Sequence, residues 1–337
     1  DRGLYQKLSS LRDKIFTSKD LKKLSKEVKS LEKEITLFHA QVVNDVNHSV
    51  KKSTIPRPEI IGFHGQTIFH NPEEKISVQL GDGKLLSRLT KKTVVYDFRQ
   101  NDLKHGGQGA PLAPIFHQSI KNNINRGAEL PIIFINIGGI SNATCFYNHQ
   151  KTENKMFAGD IGPGNCLIDE WIRKNSKKKY DKDGLIARSG ERNRLILNQA
   201  LDNFQFLNKD SLDIKNFDIS FVKGLSIEDG ASILTELTAE LIRGGLNDLL
   251  QKNKQEWEIV QEIIICGGGR KNKYLMELLT LNLDCKNFST IDKYNIDGDF
   301  IESQAFAFLA IRSFLNLPIS FPETTGCKKP CTGGVIV

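Results

Sequence analysis

The stretch "KMFAGDIGPGNCLIDEWI", residues 155–172, places one carboxylate, Asp160, at the end of an apolar run. Gly162, Pro163 and Gly164 follow it and predict a tight turn before a helix begins. A carboxylate beside such a turn can take up a proton during a reaction, and the glycines let a ligand approach the main chain. The same residue could instead cap the helix, so the spacing alone leaves both roles open for Asp160.

Three further loops combine glycines with a preceding predicted strand, a pattern that brings bare backbone close to phosphate groups. They contain Gly106, Gly107 and Gly109 in "KHGGQGAPL", Gly138 and Gly139 in "INIGGISN", and Gly267, Gly268 and Gly269 in "CGGGRKN". Each loop could be a structural turn, but the three together favour a nucleotide site. Their spacing is not a dinucleotide fingerprint and no G-x-x-x-x-G-K-S/T stretch occurs, which argues against a Rossmann oxidoreductase and a P-loop enzyme.

The elements that must position these loops alternate between strands and helices, which predicts an α/β fold. Apolar runs such as "EIIGF", "TVVYDF" and "QEIIIC" are predicted strands, and "LPIIFINIGGISNATCF" is predicted to form a hairpin at its two glycines. Apolar residues recur at intervals of three and four from Leu21 to Val46 and predict one long amphipathic helix. The 337 residues suggest two domains of about 150 residues each.

Composition narrows the class of partner. The net charge is +7, but the lysines are interleaved with glutamates in "KDLKKLSKEVKSLEKEI", which favours a solvated helix face over a nucleic-acid site. No apolar run reaches the ~20 residues of a membrane span, and the N-terminus lacks a secretory signal, so we expect a cytoplasmic protein without a membrane partner. Cys327 and Cys331 form half of a zinc site at best, so no metal is expected on protein ligands alone.

Several motifs occur in a series that resembles the anhydro-N-acetylmuramic acid kinase family, from about residue 60 to the C-terminus. They are "GFHGQTIFH", "DFRQNDLKHGGQGAPLAP", "INIGGISN", "GDIGPGNCLIDEWI", "LTELTA" and "CGGGRKN". The resemblance implies a two-lobed actin-like ATPase (ribonuclease H-like) fold with the active site in the cleft between lobes. We place the first lobe at residues 1–128 and the second at 129–337. Another sugar kinase of this superfamily is disfavoured because "GGQGAPL" and "GDIGPGN" together indicate the anhydro-sugar branch.

The resemblance also implies an activity. The family converts 1,6-anhydro-N-acetylmuramic acid, ATP and water to N-acetylmuramic acid 6-phosphate and ADP, in bacterial peptidoglycan recycling and amino-sugar catabolism. Asp160 occupies the place of the family's general base, which would direct water at the anomeric carbon before the freed O6 attacks the γ-phosphate. ATP is expected to bind with Mg²⁺. A homodimer through the second lobe is also implied.

The remaining site residues follow from matching motifs. Substrate-binding residues are expected to be His64, Gln66, Arg99, Asp102 and Glu302. Nucleotide-binding residues are expected to be Gly106, Gly107, Gly109, Asn136, Gly138, Gly139, Gly162, Gly164, Asn165, Gly267, Gly268, Gly269 and Asn272. Some have plainer explanations: His64 could be a buried structural histidine, Arg99 and Asp102 surface ion-pair members, Asn272 a helix cap, and Glu302 a complement to a helix dipole.

Two departures from the family pattern stand out. No glycine, serine and threonine rich loop of the type S-G-T-S-x-D-G occurs, so we expect the first lobe to lack its N-terminal phosphate-binding strand and loop. Ile161 stands where the family has threonine, which removes a hydroxyl beside the expected phosphates. The alternative to an active kinase is therefore a truncated, non-catalytic remnant that binds amino sugar or a protein partner.

Overall fold

The structure is a computed structural model, and it describes residues 2–50, 56–124, 131–149, 153–204, 212, 217–255 and 260–337. The chain forms two compact units, one from Asp1–Phe116 and Glu302–Val337 and the other from His117–Ile301. The predicted boundary between residues 128 and 129 lies outside the described residues. The observed division differs from the predicted one, because the C-terminal segment returns to the first unit. The chain crosses between units within α6 (Pro114–Ile124) and at the start of α12 (Ile301–Phe314).

The first unit contains a three-stranded sheet in the order β1-β4-β10 and a separate β2-β3 pair. Its strands are β1 (Ile60–Phe63), β2 (Gln66–Asn71), β3 (Ile76–Leu80), β4 (Thr93–Tyr96) and β10 (Val335–Ile336). Its other helices are α1 (Arg2–Asp13), α2 (Ser18–Lys23), α3 (Ser25–Val50), α4 (Gly83–Thr90), α5 (Gln100–Lys104) and α13 (Pro322–Thr325). β1 runs parallel to β4 and β10 antiparallel to it, so the last strand of the chain completes this sheet.

The predicted helix from Leu21 to Val46 is broken in the structure. α2 ends before Leu24, whose φ of −93° and ψ of 16° are not helical, and α3 then continues to Val50. Leu31 and Ile35 of α3 are buried in the core that α1, β2 and β3 also line. Val46 is exposed at the other end of the periodic stretch. The apolar periodicity therefore identified the helix, but beyond Ala40, which is buried in a second core cluster, Val42 and Val46 are exposed.

The second unit is built around one five-stranded sheet in the order β7-β6-β5-β8-β9. Its strands are β5 (Ile132–Ile137), β6 (Ile140–His149), β7 (Glu153–Pro163), β8 (Glu262–Cys266) and β9 (Asn287–Thr290). Its α-helices, besides α6, are α7 (Cys166–Asn175), α8 (Leu185–Ser189), α9 (Arg194–Phe204), α10 (Ile227–Lys252) and α11 (Lys273–Asn282). Short 3₁₀ helices span Lys182–Gly184, Ser220–Val222, Gly268–Lys271 and Ile291–Tyr294.

The order of these strands confirms the α/β class. β5 pairs parallel with β8 and β8 with β9, whereas β6 is antiparallel to both β5 and β7. β5 thus lies at the centre of the sheet, and of these five strands β6 alone runs antiparallel to the others. This is the arrangement of the ribonuclease H-like fold. The predicted hairpin at Gly138 and Gly139 is confirmed, since β5 and β6 pair directly across that turn. Among the helices described, none is both long and apolar enough to cross a membrane.

Candidate active site

Asp160 lies at an irregularity of β7. Asp160 pairs with Asn142 and Gly162 with Ser141, so Ile161 is the extra residue of a β-bulge. Bulges of this kind redirect side chains and are common beside active sites. The half-buried carboxylate of Asp160 accepts a hydrogen bond through Oδ2 from the Leu212 backbone N–H at 2.8 Å. Bulge and hydrogen bond together hold one carboxylate in a defined orientation.

The structure excludes one of the two roles left open for Asp160. The residue that precedes α7 is Asn165, five positions after Asp160, so Asp160 is not the helix cap. Ile161 is 2% exposed and packs in the hydrophobic core of the second unit. Its side chain therefore contributes to the packing of this core.

The hairpin turn at Gly138 and Gly139 contacts the start of α7. The Gly139 carbonyl accepts a hydrogen bond from the Gly164 N–H at 2.9 Å, and the Gly138 carbonyl accepts one from the Asn165 N–H at 2.7 Å. A Cβ atom on Gly164 would lie 2.1 Å from the Gly138 oxygen, so only glycine fits there. The N–H groups of Gly164 and Asn165 are thus engaged within the protein, and both residues position the hairpin against the helix.

The loop from Gly267 to Gly269 packs against the end of β5 and against Asn165. Gly267 has a φ of +79°, and a Cβ there would lie 2.5 Å from Asn136 Oδ1. A Cβ on Gly269 would lie 2.2 Å from Ile137 Cγ2 and 3.2 Å from Asn165 Oδ1. β5 and β8 are parallel neighbours, so the loops at their carboxyl ends emerge side by side. The structure therefore brings together Asn136, Gly138, Gly139, Gly164, Asn165, Gly267, Gly268 and Gly269, with Gly162 two residues before Gly164.

Asn272 acts as a helix cap, as the plainer explanation held. It is 7% exposed, and its Oδ1 accepts a hydrogen bond from the Leu275 N–H at 3.0 Å at the start of α11. We therefore revise its expected role from nucleotide contact to anchoring the end of the glycine loop.

Arg270 holds the glycine loop of the second unit in place, a contact that sequence reasoning did not predict. Its guanidinium bonds Asp292 through Nε at 2.7 Å and Nη2 at 3.0 Å, and Nη1 bonds Asp299 at 2.8 Å and the Gly267 carbonyl at 3.0 Å. These hydrogen bonds from Arg270 lower the pKa of Asp292 to about 2. Arg270 thus ties the glycine loop to the segment that follows β9. The aspartates of "IDKYNIDGD" lie beyond α11 and β9 in the sequence, so no local pattern indicated this contact.

In the first unit, Arg99 and His64 form a hydrogen-bonded pair. Arg99 Nε and Nη2 lie 3.1 and 3.0 Å from His64 Nε2, and His64 Nδ1 lies 3.0 Å from the Gly65 carbonyl. Because Nε2 accepts from the guanidinium, the proton resides on Nδ1, which donates to Gly65. Burial, and then the charge of Arg99, lower the pKa of His64 to about 3. His64 is therefore neutral and orients Arg99.

Asp102 holds the loop that contains Gly106, Gly107 and Gly109. Its side chain is 1% exposed; Oδ2 accepts from the Gly109 N–H at 2.7 Å and Oδ1 from Thr325 Oγ1 at 2.6 Å. A Cβ on Gly107 would lie 2.2 Å from Oδ2. This burial excludes a surface ion pair, and we revise the expected sugar contact of Asp102 to a positioning role.

Gln66 and Glu302 are both exposed. Gln66 is the first residue of β2 and pairs with Leu80 across the two-stranded sheet. Glu302 lies in the first turn of α12. Their substrate-binding roles stay predictions.

The lowered pKa of His64 predicts a pH dependence of stability. The unfolded chain binds a proton near pH 6.5, whereas the folded protein resists protonation down to about pH 3. Between these values the unfolded state binds more protons, so the free energy of unfolding falls as pH falls. At about 1.4 kcal/mol per pH unit, lowering the pH from 6.5 to about 5 removes about 2 kcal/mol through His64.

Urea unfolding of the wild type and His64→Gln at a series of pH values measures this effect. The amide oxygen of glutamine can still accept from Arg99, so the variant should lose the part of the pH dependence that comes from His64 and retain the contact. His117, whose burial lowers its pKa to about 4, should leave a residual dependence of the same sign. His48→Gln, on an exposed helix face, serves as the control. Equal slopes for wild type and His64→Gln would contradict the assignment.

Comparison with known proteins places these motifs in one family. The sequence profile described as "Anhydro-N-acetylmuramic acid kinase" matches residues 4–337. The enzyme of that name from Pelagibacter ubique is 50% identical over 342 residues, covering 100% of this chain and 88% of that protein. Those from Brucella canis and Agrobacterium fabrum are 40% and 37% identical, covering 90% and 100% of this chain and 79% and 87% of theirs. The expected lack of an N-terminal phosphate-binding strand and loop is not supported by these matches.

Among solved structures, an activator of the 2-hydroxyisocaproyl-CoA dehydratase from Clostridium difficile with bound ADPNP is similar, with a TM-score of 0.32 and 11% identity. The match covers 56% of this chain and 62% of that one.

Proposed function

Because this chain belongs to the anhydro-N-acetylmuramic acid kinase family, we propose that it converts 1,6-anhydro-N-acetylmuramic acid, ATP and water to N-acetylmuramic acid 6-phosphate and ADP. The observation that carries this proposal is the convergence of the glycine loops at one end of the second unit's sheet, in the unit that also holds Asp160. The alternative of a non-catalytic remnant is not favoured, since the relatives match along the whole chain.

In the proposed mechanism, Asp160 accepts a proton from the water that attacks the anomeric carbon. The bond from that carbon to O6 breaks, and O6 leaves with the electron pair of the bridge. O6 then attacks the γ-phosphorus of ATP, and ADP departs. The hydrogen bond from Leu212 and the bulge at Ile161 keep the carboxylate of Asp160 in place, so little reorganisation is needed during the reaction.

The nucleotide is proposed to bind at the converged loops of the second unit. Gly267 and Gly269 pack against the end of β5, where a Cβ would clash with Asn136 and Ile137, so the two loops can lie close together. Gly138 and Gly268 face open space, since a Cβ at either would meet no atom closer than 3.5 Å, and this leaves their main chain accessible for close approach of a phosphate chain. The side chain of Asn165 lies beside Gly269 and can contribute a hydrogen bond. Mg²⁺ is proposed to arrive with ATP, where it would neutralise charge on the phosphates, because Mg²⁺ is commonly held by substrate phosphates and water.

The sugar is proposed to bind through residues of the first unit. Arg99 carries a fixed positive charge beside a neutral histidine and is suited to the carboxylate of the lactyl group of muramic acid. Gln66 and Glu302 remain proposed contacts to the sugar. A cytoplasmic location, a homodimer and the absence of nucleic-acid and membrane partners are further parts of this proposal.

The test is phosphoryl transfer with Mg·ATP in water labelled with heavy oxygen. The product should gain one phosphoryl group and one water, with the heavy oxygen on the anomeric carbon. N-acetylmuramic acid, which lacks the bridge, serves as the competing acceptor. Phosphorylation of that sugar in preference to the anhydro sugar would indicate an ordinary sugar kinase, and no transfer to either would refute the proposed function.

A further inference from the structure

Thr325 is buried beside the carboxylate that holds the glycine loop of the first unit. It is the last residue of α13 and is 1% exposed. Its Oγ1 lies 2.6 Å from Asp102 Oδ1 and 3.3 Å from the Phe321 carbonyl. A hydroxyl has one hydrogen to donate, and the shorter contact with a carboxylate is the stronger bond. The hydroxyl of Thr325 therefore donates to Asp102.

A chain of contacts leads from this hydroxyl to Arg99. Asp102 Oδ2 accepts from the Gly109 N–H at 2.7 Å, and the Gly109 carbonyl accepts from Arg99 Nη1 at 2.9 Å. The same guanidinium bonds His64. Rotation or displacement of Asp102 would thus move Gly109, whose carbonyl holds one side of Arg99.

The backbone around Thr325 holds the loop at two more points. The Thr325 carbonyl accepts from the Gln108 N–H at 2.7 Å, and the Lys328 N–H donates to the His105 carbonyl at 3.2 Å. These contacts do not need the threonine hydroxyl. Removing the hydroxyl alone should therefore leave the loop in place but free the Asp102 carboxylate to shift.

We propose that Thr325 is a positioning residue for sugar binding, which fixes Asp102, then Gly109, and so aims the Arg99 guanidinium at the carboxylate of the sugar. This inference rests on the proposed function. It predicts that loss of the hydroxyl weakens recognition of the sugar carboxylate specifically, because the proposed nucleotide site consists of the converged loops of the second unit. The nucleotide contacts expected of Gly106, Gly107 and Gly109 stay predictions and are not part of that proposed site.

The test compares Thr325→Val, which is nearly isosteric, with Thr325→Ser, which keeps the hydroxyl. We expect Thr325→Val to raise KM for the anhydro sugar on the order of tenfold or more, with KM for ATP within about twofold. Thr325→Ser should restore the sugar KM. An anhydro sugar with a hydroxyl in place of the lactyl ether lacks the carboxylate, so Thr325→Val should change its KM little.

Thr324→Val is the matched control, since among the described residues the Thr324 hydroxyl hydrogen-bonds the backbone of Phe321, the residue that precedes α13. It should leave both KM values unchanged. If Thr325→Val is too unstable to assay, Thr325→Ala replaces it in the comparison with Thr325→Ser. The inference would be overturned if Thr325→Val raised KM equally for the anhydro sugar and for ATP. Equal increases in KM for sugars with and without the carboxylate would overturn it too. If the wild-type protein were inactive on the anhydro sugar, the proposed function itself would be refuted.

Discussion

Asp160→Asn should reduce kcat for the anhydro sugar on the order of a thousandfold, within the range that a positioned general base contributes. Asparagine has the shape of aspartate, and its Oδ1 can still accept the hydrogen bond from the Leu212 N–H that now reaches Oδ2. The variant should therefore keep the loop arrangement and bind ATP normally. What it loses is a group that can take the proton of the attacking water.

Steady-state kinetics with Mg·ATP and the anhydro sugar measure this effect, and ATP affinity by calorimetry shows that the site is intact. Glu170→Gln is a matched control from the same motif, because the Glu170 carboxylate bonds Lys174 Nζ at 2.6 Å within α7. It should change kcat by less than about twofold, since a partly exposed pair of this kind contributes little. If Asp160→Asn kept a tenth of the wild-type kcat, Asp160 would not be the base.

Gly164→Ala should weaken ATP binding by about a hundredfold and destabilise the fold by about 2 kcal/mol, as expected where a methyl group has no room. The added Cβ would lie 2.1 Å from the Gly138 oxygen and 2.9 Å from its carbonyl carbon. The hairpin turn and the start of α7 would have to separate. That movement would displace Asn165 from the loop at Gly269 and so open the proposed nucleotide site.

Gly244→Ala provides the control for this substitution. Gly244 lies within α10, and a Cβ there has no other atom within 4 Å. Alanine should stabilise the helix by up to about 1 kcal/mol and leave ATP affinity unchanged. Calorimetric titration with ATP and urea unfolding of both variants supply the measurements. Wild-type ATP affinity in Gly164→Ala would show that the converged loops are not the nucleotide site.

The sequence alone determined the α/β class and the hairpin at Gly138 and Gly139. It also indicated most of the residues in the glycine loops that the structure brings together in the second unit. These features depend on local chemistry: runs of β-branched residues favour strands, and glycines mark turns where no side chain fits. The series of motifs was also sufficient to indicate the family that the comparisons then showed. The position of Asp160 followed from its place after an apolar run, although the bulge that orients it depends on pairing with β6.

Tertiary structure decided what sequence spacing could not. Asp102 accepts a hydrogen bond from Thr325, a residue 223 positions away, and the C-terminal segment joins the first unit through pairing of β10 with β4. Arg270 was missed because its aspartate partners lie beyond α11 and β9. A polar side chain in a loop can equally contact ligand, solvent or protein. Burial distinguishes these three outcomes, because a buried polar group must form a hydrogen bond within the protein. Which side chains are buried depends on long-range packing.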